Sequence, residues 1–184
     1  MNLEMEDEEG DLISKPIYIN NAGLVLTGPF LPHLFQSLGM LHQDETGHTR
    51  LRDGKAVSRA VHLLQYLVDG RTDRPEPLLV LNKIMCGVPT ATPVERVIEP
   101  TEQERELCER LLKAMLANWK IISHTSIAGL RETFLQREGK LERTPDGWKL
   151  QVQRKTLDVL VDQIPWSISV IFNTCMPQPL RVTW

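Results

Sequence analysis

Residues 125–152, TSIAGLRETFLQREGKLERTPDGWKLQV, contain the signals for a helix, a tight turn and two strands in one short stretch. In the first half, apolar residues recur at the helical spacing i, i+3, i+7 and i+8, at Ile127, Leu130, Phe134 and Leu135. This spacing predicts an amphipathic helix with one buried face. Polar residues fill much of the opposite face, and these are Arg131, Glu132, Gln136 and Arg137.

Both ends of this helix carry termination signals. Thr125 or Ser126 can cap the first turn, because a side-chain oxygen there accepts from an otherwise unpaired amide. Gly139 stands where a residue in the left-handed conformation would end the helix.

The second half of the stretch changes to a period of two, which is typical of strands. One face carries Leu141, Arg143, Trp148, Leu150 and Val152, and the other carries Glu142, Lys149, Gln151 and Gln153. Between the runs, proline and glycine in residues 144–147 (TPDG) favour a turn. The pattern predicts a β-hairpin with one solvent-facing side, and we expect both Phe134 and Trp148 to be buried.

The remaining sequence extends this into an α+β fold in a single domain. Apolar spacing predicts about five short helices, at residues 29–40, 55–68, 77–86, 102–118 and 126–137. Residues 101–104 (TEQE) form a capping box that starts the fourth helix.

The segments outside these helices have other patterns. Residues 16–27 indicate extended pieces around a turn, and residues 42–54 indicate a loop. Residues 156–164 fit a helix or a strand, with a short helix favoured, and residues 166–172 and 180–184 predict strands. We therefore expect the helices to be followed by a small C-terminal antiparallel sheet.

Charge is distributed unevenly along the 184 residues. Of the 24 acidic side chains, six lie in residues 1–11, which contain no basic one. We predict an acidic disordered tail at residues 1–14 and a globular domain at residues 15–184. The remaining 18 acidic residues face 21 basic ones, so the body carries about +3. This balance is too weakly basic to indicate nucleic-acid binding.

The sequence contains neither a targeting signal nor a metal-binding motif that we can identify. No apolar run approaches the length of a membrane span, and an acidic N-terminus is the opposite of a signal peptide. We therefore expect a cytoplasmic chain, or one delivered by a route without a signal peptide. Its three cysteines lack zinc-site spacing, and Cys86 and Cys108 fit core positions. A metal site at His42 and His48 with Asp44 and Glu45 is much less favoured than an ordinary loop.

Motifs for catalysis are also missing, so we predict no catalytic, cofactor-binding or metal residues. Asp158 and Asp162 lie four apart and would share one face of a helix, where they could form a carboxylate pair. A polar edge over an apolar strip is the more common arrangement. The alternative function is a small hydrolase or metal-dependent enzyme with a dispersed site, drawn from residues such as His62, His124, Asp158 and Asp162.

Several blocks in order along the chain carry a family resemblance. They are residues 20–26 (NNAGLVL), 29–32 (PFLP), 59–67 (RAVHLLQYL), 81–89 (LNKIMCGVP), 125–137 (TSIAGLRETFLQR), 146–148 (DGW), 164–168 (IPWSI) and 181–184 (RVTW). In this order they resemble the contractile injection system tape measure protein family, over roughly residues 15–184.

The resemblance implies a part of phage-tail-like extracellular injection particles. A tape measure protein lies inside the growing inner tube, sets its length and contacts the baseplate hub or spike. The implied role is non-enzymatic assembly, in the cytoplasm first and then within the particle, with hub, spike and inner-tube proteins as partners and self-association left open. At about 1.5 Å per helical residue, these short helices could measure only a small fraction of a tube. We expect either the globular module of a longer protein or a short relative that acts in assembly.

Overall fold

The computed structural model describes residues 15–184, and the predicted α+β class is confirmed for this part of the chain. The predicted acidic tail at residues 1–14 lies outside the described residues. The α-helices are α1 (Leu31–Ser37), α2 (Gly54–Asp69), α3 (Val80–Met85), α4 (Glu102–Asn118) and α5 (Ile127–Leu130). The strands are β1 (Ile17–Ile19), β2 (Leu41–Gln43), β3 (Thr49–Leu51), β4 (Gly139–Thr144), β5 (Gly147–Val152), β6 (Val170–Ile171) and β7 (Leu180–Thr183). Among residues 15–184, none of the helices has the length and apolar character needed to cross a membrane.

Capping residues specify both ends of α2 and the start of α4, the two longest helices among the described residues. The Asp53 side chain accepts from the Ala56 amide at 2.8 Å to start α2, and Gly70 follows α2 in the left-handed conformation with φ 75°. The predicted capping box of α4 is present, with Thr101 and Glu104 each accepting from the other's backbone amide. Local sequence therefore determines where these helices lie.

The five-stranded sheet is mixed, which corrects the expected purely antiparallel arrangement. Its order is β1-β4-β5-β7-β6, and β7 runs parallel to β5 while the other pairs are antiparallel. The N-terminal strand β1 pairs with β4, so the sheet is not built from the C-terminal region alone. The predicted hairpin is confirmed as β4 and β5, with Gly147 at φ 144° directly after the turn.

Residues 22–30 form a 3-10 helix, although the sequence pattern indicated extended pieces. The segment Ala22–Gly28 is buried, so its backbone groups must find partners inside the protein. The Leu24 amide donates to Asn21 O, and the Thr27 hydroxyl donates to Leu24 O at 2.7 Å. A compact turn supplies these bonds locally, which an isolated extended segment could not.

Four other segments differ from their predicted form. The loop at residues 42–54 contains the hairpin of β2 and β3, and the third predicted helix is reduced to a 3-10 turn (Glu76–Leu78) followed by α3. The ambiguous residues 156–164 form two 3-10 turns, Thr156–Val159 and Val161–Gln163. The strand predicted at residues 166–172 is limited to β6. Apolar spacing located these regions but could not separate tight turns from regular elements.

The predicted helix at residues 126–137 changes its winding halfway. After α5, residues Arg131–Leu135 form a π-helical turn, in which the Gln136 amide donates to Arg131 O at 2.8 Å. This wider turn shifts the following side chains around the axis, so Arg137 points inward and is 1% exposed. Gly139 is not a left-handed cap but the first residue of β4, where a Cβ would lie 2.7 Å from the Ala22 Cβ.

Aromatic rings pack together between the helices and the sheet. Trp119 is fully buried, and its ring centroid lies 4.8 Å from that of Phe134, which is also buried as predicted. Trp166 meets Trp119 edge to face and donates its Nε1–H to Leu26 O at 3.0 Å. Trp148 is only half-buried, contrary to the prediction, and the Arg143 guanidinium lies over its ring.

Candidate functional site

Asp158 and Arg137 form the most deeply buried ion pair among the described residues. Both side chains are almost completely inaccessible, and Arg137 Nη2 donates to Asp158 Oδ1 at 2.9 Å while Nη1 donates to Oδ2. The same carboxylate accepts from the Lys155 amide at 2.8 Å and from Trp184 Nε1 at 2.7 Å. The pair thus joins the π-helical turn, the segment after the hairpin and the end of β7.

This environment keeps Asp158 ionised. Burial alone raises the pKa of the carboxyl group, but the hydrogen bonds from Arg137, the Lys155 amide and Trp184 outweigh it and hold the pKa below its usual range. Because the group is ionised at neutral pH, it has no proton to donate. Because both oxygens already accept hydrogen bonds, it is also poorly placed to accept a proton from a substrate. The arrangement serves structure rather than acid–base chemistry.

Asp162 does not join Asp158 in a carboxylate pair, which corrects the sequence interpretation. Asp162 is exposed and accepts from the Arg154 guanidinium at the surface. In an α-helix, residues four apart would share a face, but residues 156–163 form 3-10 turns with about three residues per turn. Residues four apart then point in different directions.

The two candidate histidines also have separate surroundings. His62 is buried on α2, and its Nε2 donates to Glu95 O at 2.6 Å. His124 is exposed after the 3-10 turn Lys120–Ile122. No group of three or more His, Cys, Asp or Glu side chains in residues 15–184 is placed to hold a metal ion. The structure therefore does not assemble the residues considered for a dispersed enzyme site.

Asp44, which was considered with His42 and His48 for a metal site, instead organises the β2–β3 turn. Its carboxylate accepts from the Thr46 hydroxyl and from the backbone amides of Thr46 and His48. The hydrogen bond from the Thr46 side chain is the largest of the effects that lower the pKa of Asp44 to about 2. This is a turn-forming aspartate.

Two of the three cysteines are core residues. Cys86 and Cys108 are buried, as predicted, and burial raises the pKa of the Cys108 thiol to about 12 and that of Cys86 further. Burial also raises the pKa of the half-buried Cys175. At neutral pH these thiols are protonated and therefore weak nucleophiles.

A second ion pair joins Arg59 to Glu104, a residue that the sequence identifies only as part of a capping box. The Glu104 side chain is 6% exposed and accepts from Arg59 Nε at 2.9 Å and from Arg59 Nη2. Arg59 Nη2 also donates to Glu99 O, so the pair fastens the connection before α4 to α2. The signal available in the sequence was the capping box, which places Glu104 but not its partner.

Blocks that are far apart in sequence meet in a buried amide network. Asn21 Nδ2 donates to Asn82 Oδ1 at 2.8 Å and to Gln65 Oε1 at 3.0 Å. Asn82 Nδ2 donates to Val61 O at 3.0 Å. These three amides come from the blocks at residues 20–26, 59–67 and 81–89. The motifs that carry the family resemblance therefore hold the fold together.

The same network borders a polar cleft with a volume of about 470 Å³. The amide of Gln65 reaches its edge, where Gln65 Nε2 and Arg74 Nε both donate to Asp69 Oδ2 at 2.9 Å. Lys155 also lines the cleft. Asp69 Oδ2 therefore has its partners in two neighbouring residues of the cleft wall.

The five-stranded sheet has one covered face and one open face. Core residues line the covered side, including Leu141, Leu150 and Val182. The open side, here called the outer face, comprises Tyr18, Lys140, Glu142, Lys149, Gln151, Val170, Arg181 and Thr183. Six of these eight residues are exposed, and Tyr18 is 76% exposed. The outer face is a surface on which another chain could bind.

A smaller apolar groove lies between α1 and α4, with a volume of about 360 Å³. Its lining includes the apolar residues Phe30, Leu34, Leu107 and Leu111 and the polar residues His33 and Arg110. The groove is one of several concave surfaces among the described residues.

Comparison with known proteins gives one match. The sequence model of the family described as contractile injection system tape measure protein matches residues 3–184. Searches of curated proteins and of solved structures found no match to the chain. The family match spans the whole described fold, including the amide network and both buried ion pairs. The chain therefore belongs to the contractile injection system tape measure protein family.

Proposed function

We propose that this protein is a non-enzymatic assembly component that contacts the baseplate hub or spike and the inner-tube proteins of an injection particle. The observation that carries the proposal is the family match over residues 3–184. A tape measure protein acts by binding and by occupying length, so its function requires stable surfaces rather than reactive groups.

The use of buried charges supports a binding role. Asp158 and Glu104, the two carboxylates in residues 15–184 that are nearly inaccessible, are each paired with an arginine and bonded to a backbone amide. Such fully paired groups stabilise one arrangement of the chain against others.

The dimensions of the helices suggest which part of the function the described residues perform. The longest helix, α4, has 17 residues and is therefore about 25 Å long. We propose that residues 15–184 form a globular contact region, since this length covers only a small part of a tube. The contact would form in the cytoplasm during assembly and persist within the particle, with self-association as a further arrangement.

Co-purification from particle-producing cells tests the proposal. An affinity-tagged full chain that supports wild-type levels of particle assembly should retain the baseplate hub or spike protein and the inner-tube protein. Mass spectrometry identifies the retained proteins. Particles made without the chain should show altered tube length or fail to assemble. Normal particles in its absence, together with no retention of hub or tube proteins, would contradict the proposal.

A further inference from the structure

Two rows of side chains cross the outer face at right angles to the strands. Strand register places Tyr18, Lys140, Gln151 and Thr183 in the first row. It places Glu142, Lys149, Arg181 and Val170 in the second. Three of these residues are basic and one is acidic, so the outer face carries a positive charge.

The positive charge is concentrated at Lys149 and Arg181. These residues are direct neighbours on the parallel strands β5 and β7, and both are exposed. Like charges directly opposite one another destabilise a sheet. The one carboxylate of the outer face, Glu142, pairs with Lys140 at 3.0 Å, and within residues 15–184 neither Lys149 nor Arg181 forms an ion pair with a carboxylate. An anionic group bound here would offset the repulsion.

The chain enters the sheet at the level of this charged row. Because Tyr18 is opposite Lys140 and Ile17 is opposite Leu141, Pro16 is level with Glu142 and so with the second row. Neighbouring strands are about 4.8 Å apart, which puts Lys149 about 10 Å and Arg181 about 14 Å across the sheet from β1. Residues 1–14 precede this point, and an extended chain spans about 3.3 Å per residue, so the segment can reach both side chains.

The segment has the complementary charge. Residues 1–11 carry Glu4, Glu6, Asp7, Glu8, Glu9 and Asp11 and no basic residue. The family match begins at residue 3, so this acidic segment is part of the matched region rather than an unrelated extension.

We propose that the acidic segment of residues 4–11 binds across the outer face of its own chain, with its carboxylates over Lys149 and Arg181. The bound segment covers the basic row and relieves the repulsion between the two side chains. Exposed ion pairs are individually weak. The short tether keeps the acidic segment at an effective concentration in about the millimolar range near the outer face, so weak contacts are sufficient to hold the segment there. The contact is accordingly sensitive to salt, and it forms whether or not the protein binds the hub.

Nuclear magnetic resonance of the full chain can locate the segment. One variant replaces all six carboxylates with amides: Glu4→Gln, Glu6→Gln, Asp7→Asn, Glu8→Gln, Glu9→Gln and Asp11→Asn. Relative to the wild type, the amide signals of Lys149, Arg181 and Tyr18 should shift at low salt, while those of Arg110 and Lys113 on α4 stay in place. Shifts confined to other surfaces, or no shifts, would overturn the proposal. Shifts that grow with protein concentration would overturn the intramolecular arrangement in favour of binding between copies.

Cleavage by a glutamate-specific protease gives an independent test, because the segment contains four glutamates. In the full chain, Lys149→Glu with Arg181→Glu should release the segment and raise its cleavage rate about two- to tenfold at low salt. The matched control, Arg110→Glu with Lys113→Glu, makes the same change in net charge on exposed residues of α4 and should leave the rate unchanged. The difference should disappear at about 0.5 M salt. Equal rates in the two double variants at low salt would refute the contact.

Discussion

Arg137 Nη2 and Asp158 Oδ1 lie 2.9 Å apart in an ion pair whose two side chains are at most 1% exposed. Arg137 also donates to Thr133 O at 2.7 Å and to Gln153 O at 3.1 Å, and its guanidinium lies over the Trp184 ring. Removing one member of a buried pair leaves an uncompensated charge inside the protein. The pair therefore links the helical half of the fold to the sheet.

The first prediction compares two aspartates in the same segment. Asp158→Asn should lower the free energy of unfolding by about 3 to 5 kcal/mol, because the buried Arg137 loses its counter-charge. Asp162→Asn should have a much smaller effect, since the Arg154–Asp162 pair is exposed and screened by solvent. Urea denaturation of both variants provides the measurement. Equal losses of unfolding free energy in the two variants would show that burial does not make the Arg137–Asp158 pair more stabilising than the exposed Arg154–Asp162 pair.

A second prediction concerns acid. The pKa of Asp158 is lower in the folded protein than in the unfolded chain, so its contribution to stability is complete above the ordinary aspartate pKa of 3.8. As the pH falls below this value, the unfolded chain takes up the proton first, and the contribution is lost as the pH passes through the lowered folded pKa. The difference in unfolding free energy between wild type and Asp158→Asn should therefore shrink below pH about 4. A difference that stays constant down to pH about 2 would argue against ionised Asp158 as its source.

The third prediction uses two phenylalanines with opposite exposure. Phe134→Ala should cost about 3 to 5 kcal/mol, because it leaves a cavity beside the Trp119 ring. Phe172, which is 62% exposed, is the matched control, and Phe172→Ala should stay within about 0.5 kcal/mol of the wild type. Denaturant midpoints distinguish the two. A loss below about 1 kcal/mol for Phe134→Ala would mean that the site collapses around the missing ring.

The fourth prediction concerns residues 180–184. Strand β7 lies between β5 and β6, and Trp184 Nε1 donates to Asp158. Removing residues 180–184 takes away an inner strand and one hydrogen bond to the buried carboxylate, so the melting temperature should fall substantially. Thermal melts and incorporation into particles should be measured together. An unchanged melting temperature with lost incorporation would indicate that these residues serve a partner instead.

The fifth prediction is that the acidic segment contributes little to the stability of the folded protein. Deleting residues 1–11 should change the melting temperature by less than about 3 °C, because exposed, salt-screened charge contacts contribute little to the free energy of unfolding. The same deletion should expose the basic row of the outer face. A loss of many degrees would show that the segment also packs apolar side chains against the body.

Elements specified by neighbouring residues could be predicted from the sequence. The turn at residues 144–147 and the alternation around it predicted the hairpin of β4 and β5. The capping box at Thr101 and Glu104 and the apolar spacing before Gly70 predicted α4 and α2. In each case the deciding interactions join residues a few positions apart, so the local sequence contains both partners.

The same local rules located the outer face but not its charge pattern. Alternation along each strand places Lys149 and Arg181 on the solvent side. Their position as cross-strand neighbours depends on the parallel pairing of β5 with β7, which joins residues more than thirty positions apart. Sequence periodicity specifies which way a side chain points from its strand, but the choice of neighbouring strand depends on how the whole sheet packs.

Only the tertiary structure decided the roles of Arg137, Asp158 and Glu104. Each looked like a solvated or helix-edge charge in the sequence, yet each is buried against a partner that is distant along the chain. The π-helical turn at Arg131–Leu135 and the 3-10 turns at residues 156–163 redirect the side chains of Arg137 and Asp158 by a fraction of a turn. A charge enters the interior only where another segment supplies its counter-charge, and that match exists only after the chain has folded.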